Sequence, residues 1–389
     1  MKKRNWLFRL IMIVLLLAVL EAIGYIAMWA NSRSFDWVNT KNYFKVRAML
    51  IGDTAADQRA RYLSQPYLGY IPDPGYAAHG EVQHNDAGYR GEKIPLVRSR
   101  KLRILCLGGS TTYGLGVPLP YQTYPARLSF LLNKVIKEDS ALHTMYGGAE
   151  VLNAGLEAGT SAEELEQYLM KYRYYRPDIV IVHSGVNDAE IMASADRDFQ
   201  LDYTHYRRLQ FHLEPLPQPA RFFMHSYLFS YLAIRLFYAN FYYSGVNGRQ
   251  CYVRQRGQQF AHWSDIDADT IRWGAGHLYL PFYRNTQSLY AEVIRDSAIL
   301  LVLPNILNEK DSFVNSSPRY RDLCAENVRI SCDLADRTGG IIVPFAYDSI
   351  HDPHSWLDDC HLDSTGEWNK ASVLLPVVVR CALQRHAQR

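Results

Sequence analysis

The sequence predicts an α/β fold: a three-layer sandwich on a mostly parallel central sheet, preceded by one N-terminal transmembrane helix. Three observations predict it. Short, continuous apolar runs such as Ile179-Val180-Ile181-Val182 and Ala298–Leu303 have the length and composition of strands buried on both faces. Segments with helical periodicity separate them, and strands alternating with helices build a parallel sheet covered on both sides. At the start of the chain, Lys2, Lys3, Arg4 and Arg9 precede an apolar stretch from Leu10 to Ala30 broken only by Glu21.

That first stretch is long enough to cross a membrane, since about 21 helical residues at roughly 1.5 Å each cover a hydrocarbon core of about 30 Å. The basic flank is expected to stay in the cytoplasm, which places everything after Ala30 on the far side. A cleaved signal peptide is the rival reading, because the uninterrupted part, Leu10 to Leu20, is short. Met28-Trp29-Ala30 is a poor cleavage site, however, and no cysteine stands there for lipidation. The expected organisation is a basic tip and anchor over residues 1–30, an extracytoplasmic lead over 31–100, and a globular domain over 101–389. The protein is thus expected to be single-pass, with its domain on the periplasmic side of an inner membrane.

The lead is polar and sprinkled with aromatics, with turn signals at Pro72-Asp73-Pro74-Gly75 and Asp86-Ala87-Gly88. Lys101–Leu107 is a strand, its apolar half being too short for a helix. Tyr121–Ile136 is a helix with Leu128, Leu131, Leu132 and Val135 on one face. Val151–Gly155 is the next strand and turn. Ser161 with Glu164 resembles a capping box opening a helix to about Tyr175. Asp178–His183 is a central strand. From about 190 to 280 the pattern blurs into an aromatic-rich insertion containing Phe222–Tyr243, where Arg235, Asn240 and several tyrosines argue against a second span and a cap bordering the site is the expectation. A helix near Thr286–Arg295, a strand at Ala298–Leu303, a helix over Tyr320–Arg337 and a strand at Gly340–Pro344 complete the alternation.

Composition excludes little but is consistent. Hydrophobic residues make up 48% and charged residues 21%, and a formal charge of +3 gives no basis for nucleic-acid binding. The 28 tyrosines suit large amphipathic contact surfaces, sugar-binding ones included, although core packing is the commoner use. Six cysteines show neither a CxxC pair nor metal-finger spacing, and Cys106 falls within a buried strand.

Three strand ends and one late segment carry candidate chemistry. Gly108-Gly109-Ser110 follows the first strand, at the carboxyl edge where open parallel sheets collect ligands. The letters are not G-x-S-x-G, because Thr112 occupies the last position. Asn153–Ser161 could supply backbone N–H groups. Gly185-Val186-Asn187-Asp188 could supply a side-chain amide to a developing oxyanion. Asp358-Asp359-Cys360-His361 pairs a carboxylate with an imidazole three residues on. Each is unremarkable alone, but a serine, a histidine and an aspartate become nucleophile, base and orienter once brought together.

In this order, and each beside a predicted strand, the four segments resemble the conserved blocks of the SGNH hydrolase (GDSL esterase) superfamily over roughly residues 100–385, with the 190–280 insertion unmatched. Asn85–Glu92 also resembles the segment preceding the first block in membrane-anchored bacterial members. Two departures are visible: Gly109 stands where Gly-Asp-Ser would place Asp, and gapless alignment from Asn153 puts Ala158 rather than Gly159 at the oxyanion position. The resemblance implies a flavodoxin-like sheet and acyl transfer through a serine ester. Ser110 would be the nucleophile, His361 the base and Asp358 its orienter. The N–H of Ser110, the N–H of Ala158 or Gly159, and the Asn187 amide would form the oxyanion hole. Asp359 reads as solvent-facing and His183 as a packing residue. The implied substrate is an acylated carbohydrate or other ester, with O-acetyl esters of envelope or exported polysaccharide expected from membrane-tethered relatives. Transfer to a sugar hydroxyl is the alternative, and neither needs a cofactor. Two other classes compete. His351, Asp352, His354, Asp358, Asp359 and His361 could form a metallohydrolase site, and the aromatic insertion is compatible with a non-catalytic polysaccharide-binding or assembly protein.

Overall fold

The computed structural model describes residues 2–32, 43–52, 61–65, 68–193, 203, 216–238 and 268–387. The chain divides into two compact units, one formed by Met1–Ser64 with Arg207–Gly257, the other by Gln65–Tyr206 with Gln258–Arg389. Much of the insertion expected to form a cap lies outside the described residues.

In the second unit, five parallel strands form the sheet: β1 (Leu102–Gly108), β2 (Ala149–Gly155), β3 (Ile179–His183), β4 (Ile299–Val302) and β5 (Ile341–Ile342). Their spatial order is β2-β1-β3-β4-β5. This is the flavodoxin-like order, in which the chain steps to one side of β1 and then crosses to the other. The crevice beyond the carboxyl ends of β1 and β3 is therefore the topological switch point, where such sheets bind ligands.

Alternation along β1 sets the three layers. Leu102, Ile104 and Cys106 face a core shared with Leu128 and Leu132 of the Tyr124–Glu138 helix and with Leu374 and Val378 of the Ser364–Ala387 helix. Leu105 and Leu107 face the opposite core, with Tyr168, Tyr172, Leu289 and Leu334. Every residue of β1 and β3 is buried, as a central strand requires. The outer strand pair places Arg103 directly opposite Glu150, and the fully buried guanidinium meets that carboxylate at 2.8 Å and the Tyr175 carbonyl at 2.8 Å. Removing either partner would strand a buried charge.

One expectation shifts. Thr160, not Ser161, is the N-cap of the Ser161–Met170 helix, with Glu163 reaching back to the Thr160 N–H at 2.9 Å. The reason is that the Ser161 N–H and hydroxyl are held by Asp188, at 3.0 and 2.6 Å. The C-terminal helix Ser364–Ala387, which contains Pro376, was not among the elements expected from the sequence.

The first unit contains the helices Lys2–Asn31, Tyr43–Ile51, Gln218–Met224 and Tyr227–Ala233. Met28, Tyr43, Val46, Leu50, Met224 and Ile234 form its core. Within the first helix, Trp6–Asn31 is long and apolar enough to cross a membrane, which a signal sequence would also be.

Candidate active site

The nucleophile candidate is placed by close backbone packing at the end of β1. Ser110 opens a one-turn helix, Ser110–Tyr113, which Gly114 ends with a left-handed φ of 80°. The first N–H groups of a helix have no acceptor inside it, and the Ser110 N–H is the first of this turn. The turn lies directly on β2: a Cβ at Gly155 would stand 2.0 Å from the Tyr113 nitrogen, so only glycine fits. Two cations then hold the turn by its carbonyls. Arg90, buried in the lead, donates to Tyr113 O at 3.1 Å, Gly114 O at 2.6 Å and Val117 O at 2.7 Å. Lys370, buried on the C-terminal helix, donates to Thr111 O and to the Glu367 carboxylate, both at 3.1 Å.

Facing this turn is the loop from Asp358 to His361, closed at its base by the Trp356–Leu362 bridge. His361 Nε2 lies 2.7 Å from Ser110 Oγ, and His361 Nδ1 lies 2.7 Å from Asp358 Oδ2. Asp358 Oδ1 also accepts the backbone N–H groups of Cys360, at 3.0 Å, and His361, at 2.7 Å. Burial opposes ionisation of Asp358, but the His361 hydrogen bond and charge and the two backbone donors outweigh it, bringing its pKa down to about 2. Burial likewise disfavours a charged His361, yet the hydrogen bond and charge of Asp358 win and raise its pKa. The structure thus brings together the serine, the imidazole and an ionised carboxylate in hydrogen-bonded sequence.

The oxyanion candidates surround the same hydroxyl. Asn187 lies in the first turn of the Val186–Ala193 helix after β3, rather than in a simple turn, and its Nδ2 donates to Gly159 O at 2.7 Å. That amide lies against Gly109, where a Cβ would approach it to 2.5 Å, so a glycine there leaves room for it. In the β2 loop, the Gly159 N–H closes a turn onto Leu156 O at 2.8 Å. Ala158 and Gly159 both lie on the loop that Asn187 meets through the Gly159 carbonyl. Ala158 has φ 54°, a conformation that costs a residue with a Cβ about 1–2 kcal/mol. Next to Asn187, buried Asp188 ties the helix to the β2 loop through Ser161 and accepts the Tyr203 hydroxyl at 2.8 Å. Burial pushes its pKa up to about 6 against the pull of these donors.

The neighbouring groups have other roles. His183 is buried, with Nδ1 2.8 Å from Leu303 O and its ring against Tyr124 and Phe345, and burial lowers its pKa to about 3, keeping it neutral. Asp359 is half-buried, contrary to the solvent-facing expectation, because Tyr320 donates to it at 2.7 Å. Asp358, Asp359, Cys360 and His361 bring four potential metal-binding atoms within 4.8 Å of one another. The set does not fit a metal. Both ring nitrogens of His361 are already engaged, Nδ1 by Asp358 and Nε2 by Ser110, so the imidazole has no nitrogen left for an ion in this arrangement. His351, Asp352 and His354 are exposed and stand outside that group among the described residues.

Sequence reasoning missed Arg90, Glu367 and Lys370. Arg90 was within reach, since it falls inside the Asn85–Glu92 segment already singled out; the Glu367/Lys370 spacing on an amphipathic stretch is common on solvated faces and gave no signal.

No protein-family model and no curated protein matches the sequence. Solved structures similar to this chain include an acetyl xylan esterase from Geobacillus stearothermophilus, at 13% identity over 73% of this chain and 97% of the other, with a TM-score of 0.38. A lipase/acylhydrolase from Enterococcus faecalis aligns at 13% identity over 71% and 94%, with a TM-score of 0.38. A protein described as a GDSL-like lipase from Parabacteroides merdae aligns at 13% identity over 73% and 99%, with a TM-score of 0.41.

Proposed function

We propose that this chain is a serine ester hydrolase of SGNH type, acting on O-acyl esters, O-acetyl groups of an envelope or exported polysaccharide above all. The observation that carries the reading is the continuous hydrogen-bonded line Ser110 Oγ, His361 Nε2, His361 Nδ1, Asp358 Oδ2, with both contacts at 2.7 Å. In the proposed reaction the Ser110 oxygen attacks the ester carbonyl while His361 takes its proton. The negative charge on the former carbonyl oxygen is held by the N–H of Ser110, the N–H of Ala158 and the amide of Asn187. His361 then gives its proton to the leaving sugar hydroxyl, and the ester is left on Ser110. Water, deprotonated by the same imidazole, releases the acid and restores the serine. Asp358 stays ionised throughout and supports the transient imidazolium.

The Trp6–Asn31 helix is proposed as an uncleaved anchor that holds the catalytic unit outside the cytoplasm. The basic residues before it support this orientation. The test is acetate release from O-acetylated polysaccharides by the full-length protein in detergent, run with and without a non-acetylated sugar acceptor. Free acetate in both arms supports the hydrolase. Acetate that appears only on the added acceptor identifies the same site as a transferase.

A further inference from the structure

The Trp6–Asn31 helix carries one carboxylate, and the first unit supplies its partners. Glu21 accepts hydrogen bonds from the Ser226 hydroxyl and, at 2.6 Å, from the Tyr227 N–H. Ser226 is the N-cap of the Tyr227–Ala233 helix, so Glu21 sits at that helix's first turn. Just beyond, Gly24 admits the second backbone, since a Cβ there would lie 2.2 Å from the Leu228 nitrogen. The rings of Tyr25 and Tyr227 meet edge-on at 5.2 Å. The short helix is therefore fixed against the long one at residues 21–25.

Depth follows from helix geometry. At ~1.5 Å per residue, Glu21 lies about 22 Å along the helix from Trp6 and Gly24 about 27 Å, within a hydrocarbon core of about 30 Å. An ionisable residue at that depth needs a partner, and Ser226 and Tyr227 provide it. The short helix is held at the same depth. Its exposed flank carries Phe229 and Leu232, continued by Leu236 in the following helical segment Ile234–Tyr238, and the Phe223 ring packs on Phe229 at 5.7 Å with Phe222 next at 5.8 Å. All five side chains are exposed, Phe222 to 75% and Leu236 to 72%. The apolar run Tyr227–Leu236 is too short to cross a bilayer.

We propose that lipid of the outer leaflet covers this strip. Residues 218–236 form a second membrane element, lying in the interface and held in place by Glu21. The proposal rests on the reading of the N-terminal helix as an uncleaved anchor. It makes the first unit a two-part membrane foot: one helix crosses, and the other sets rotation and depth through the Phe and Leu side chains.

The test uses the full chain in phosphatidylcholine/phosphatidylglycerol vesicles, carrying an environment-sensitive fluorophore on single introduced cysteines. The positions are Phe229→Cys and Leu232→Cys on the strip, Ile13→Cys within the anchor, and Lys134→Cys on the exposed face of the catalytic unit. The wild-type chain labelled in parallel gives the background of the six native cysteines. The proposal expects the labels at 229 and 232 to lose most of their emission to acyl-chain-brominated lipid and little to aqueous iodide, as at 13, with the reverse at 134. Iodide quenching at 229 and 232 with lipid quenching retained at 13 overturns this proposal and leaves the anchor standing. Iodide quenching at 13 as well overturns both.

Discussion

The Asn187 side-chain amide donates to the Gly159 carbonyl at 2.7 Å and so ties the end of β3 to the end of β2, across the Ser110 turn. One amide hydrogen is fixed in this bond, which orients the other without any substrate present. Such preorganisation is what an oxyanion donor needs. Asn187→Ala is expected to lower kcat by about 10²–10³ while KM changes little. Steady-state kinetics on an acetyl ester checks this; a change in KM alone would make Asn187 a ground-state binder.

Ala158 gives a stability prediction. Its φ of 54° is strained for any residue with a Cβ, and most strongly for a β-branched one. Ala158→Gly is expected to fold with stability within about 1 kcal/mol of the parent and to keep its turnover. Ala158→Val is expected to lose about 1–3 kcal/mol and most activity. Denaturant titration of the two variants, beside ester turnover, reads both effects.

The imidazole sets the pH response. His361 acts as base only when neutral, and Asp358 raises its pKa above the ordinary 6.5 despite burial. Activity is therefore expected to fall as pH drops, with a midpoint above 6.5. In Asp358→Asn the raising influence disappears while burial remains, so the midpoint moves down and kcat falls by about 10⁴. A pH profile of kcat/KM for both proteins measures the two shifts.

Lys370 and Glu367, each 2% exposed at the side chain, form a buried pair that also reaches the Thr111 carbonyl and the Tyr124 N–H. Lys370→Met leaves a buried carboxylate unpaired and is expected to cost about 3–5 kcal/mol. The double variant Lys370→Met/Glu367→Gln is expected to recover part of that loss, a coupling that a double-mutant cycle in denaturant measures.

How much of this was legible in the sequence depended on the range of the interactions involved. The strands β1, β3 and β4 were readable because a strand buried on both faces is apolar over a nearly continuous run, a local property. Ser110 and Asn187 were readable as candidates because each stands in a short segment just after such a strand, and Asp358 and His361 because a carboxylate and an imidazole stand three residues apart in one segment. The turn that the Gly159 N–H closes onto Leu156 was not readable, since it depends on how the loop folds back on itself. The capping shift from Ser161 to Thr160 was hidden for a similar reason: Asp188, 27 residues away, claims the serine. Arg90 and Lys370 act on carbonyls of the nucleophile turn from distant parts of the chain, and backbone acceptors leave no trace in side-chain patterns.

The central claim is that Ser110 is a nucleophile activated by His361. Its most direct measurement is covalent labelling of the full-length protein with a fluorophosphonate, with the adduct mapped by peptide mass spectrometry and acetyl-ester turnover followed in parallel. The account predicts one adduct, on Ser110, lost in Ser110→Ala together with turnover and strongly slowed in His361→Ala. An adduct on another serine, or undiminished turnover in Ser110→Ala, would contradict it.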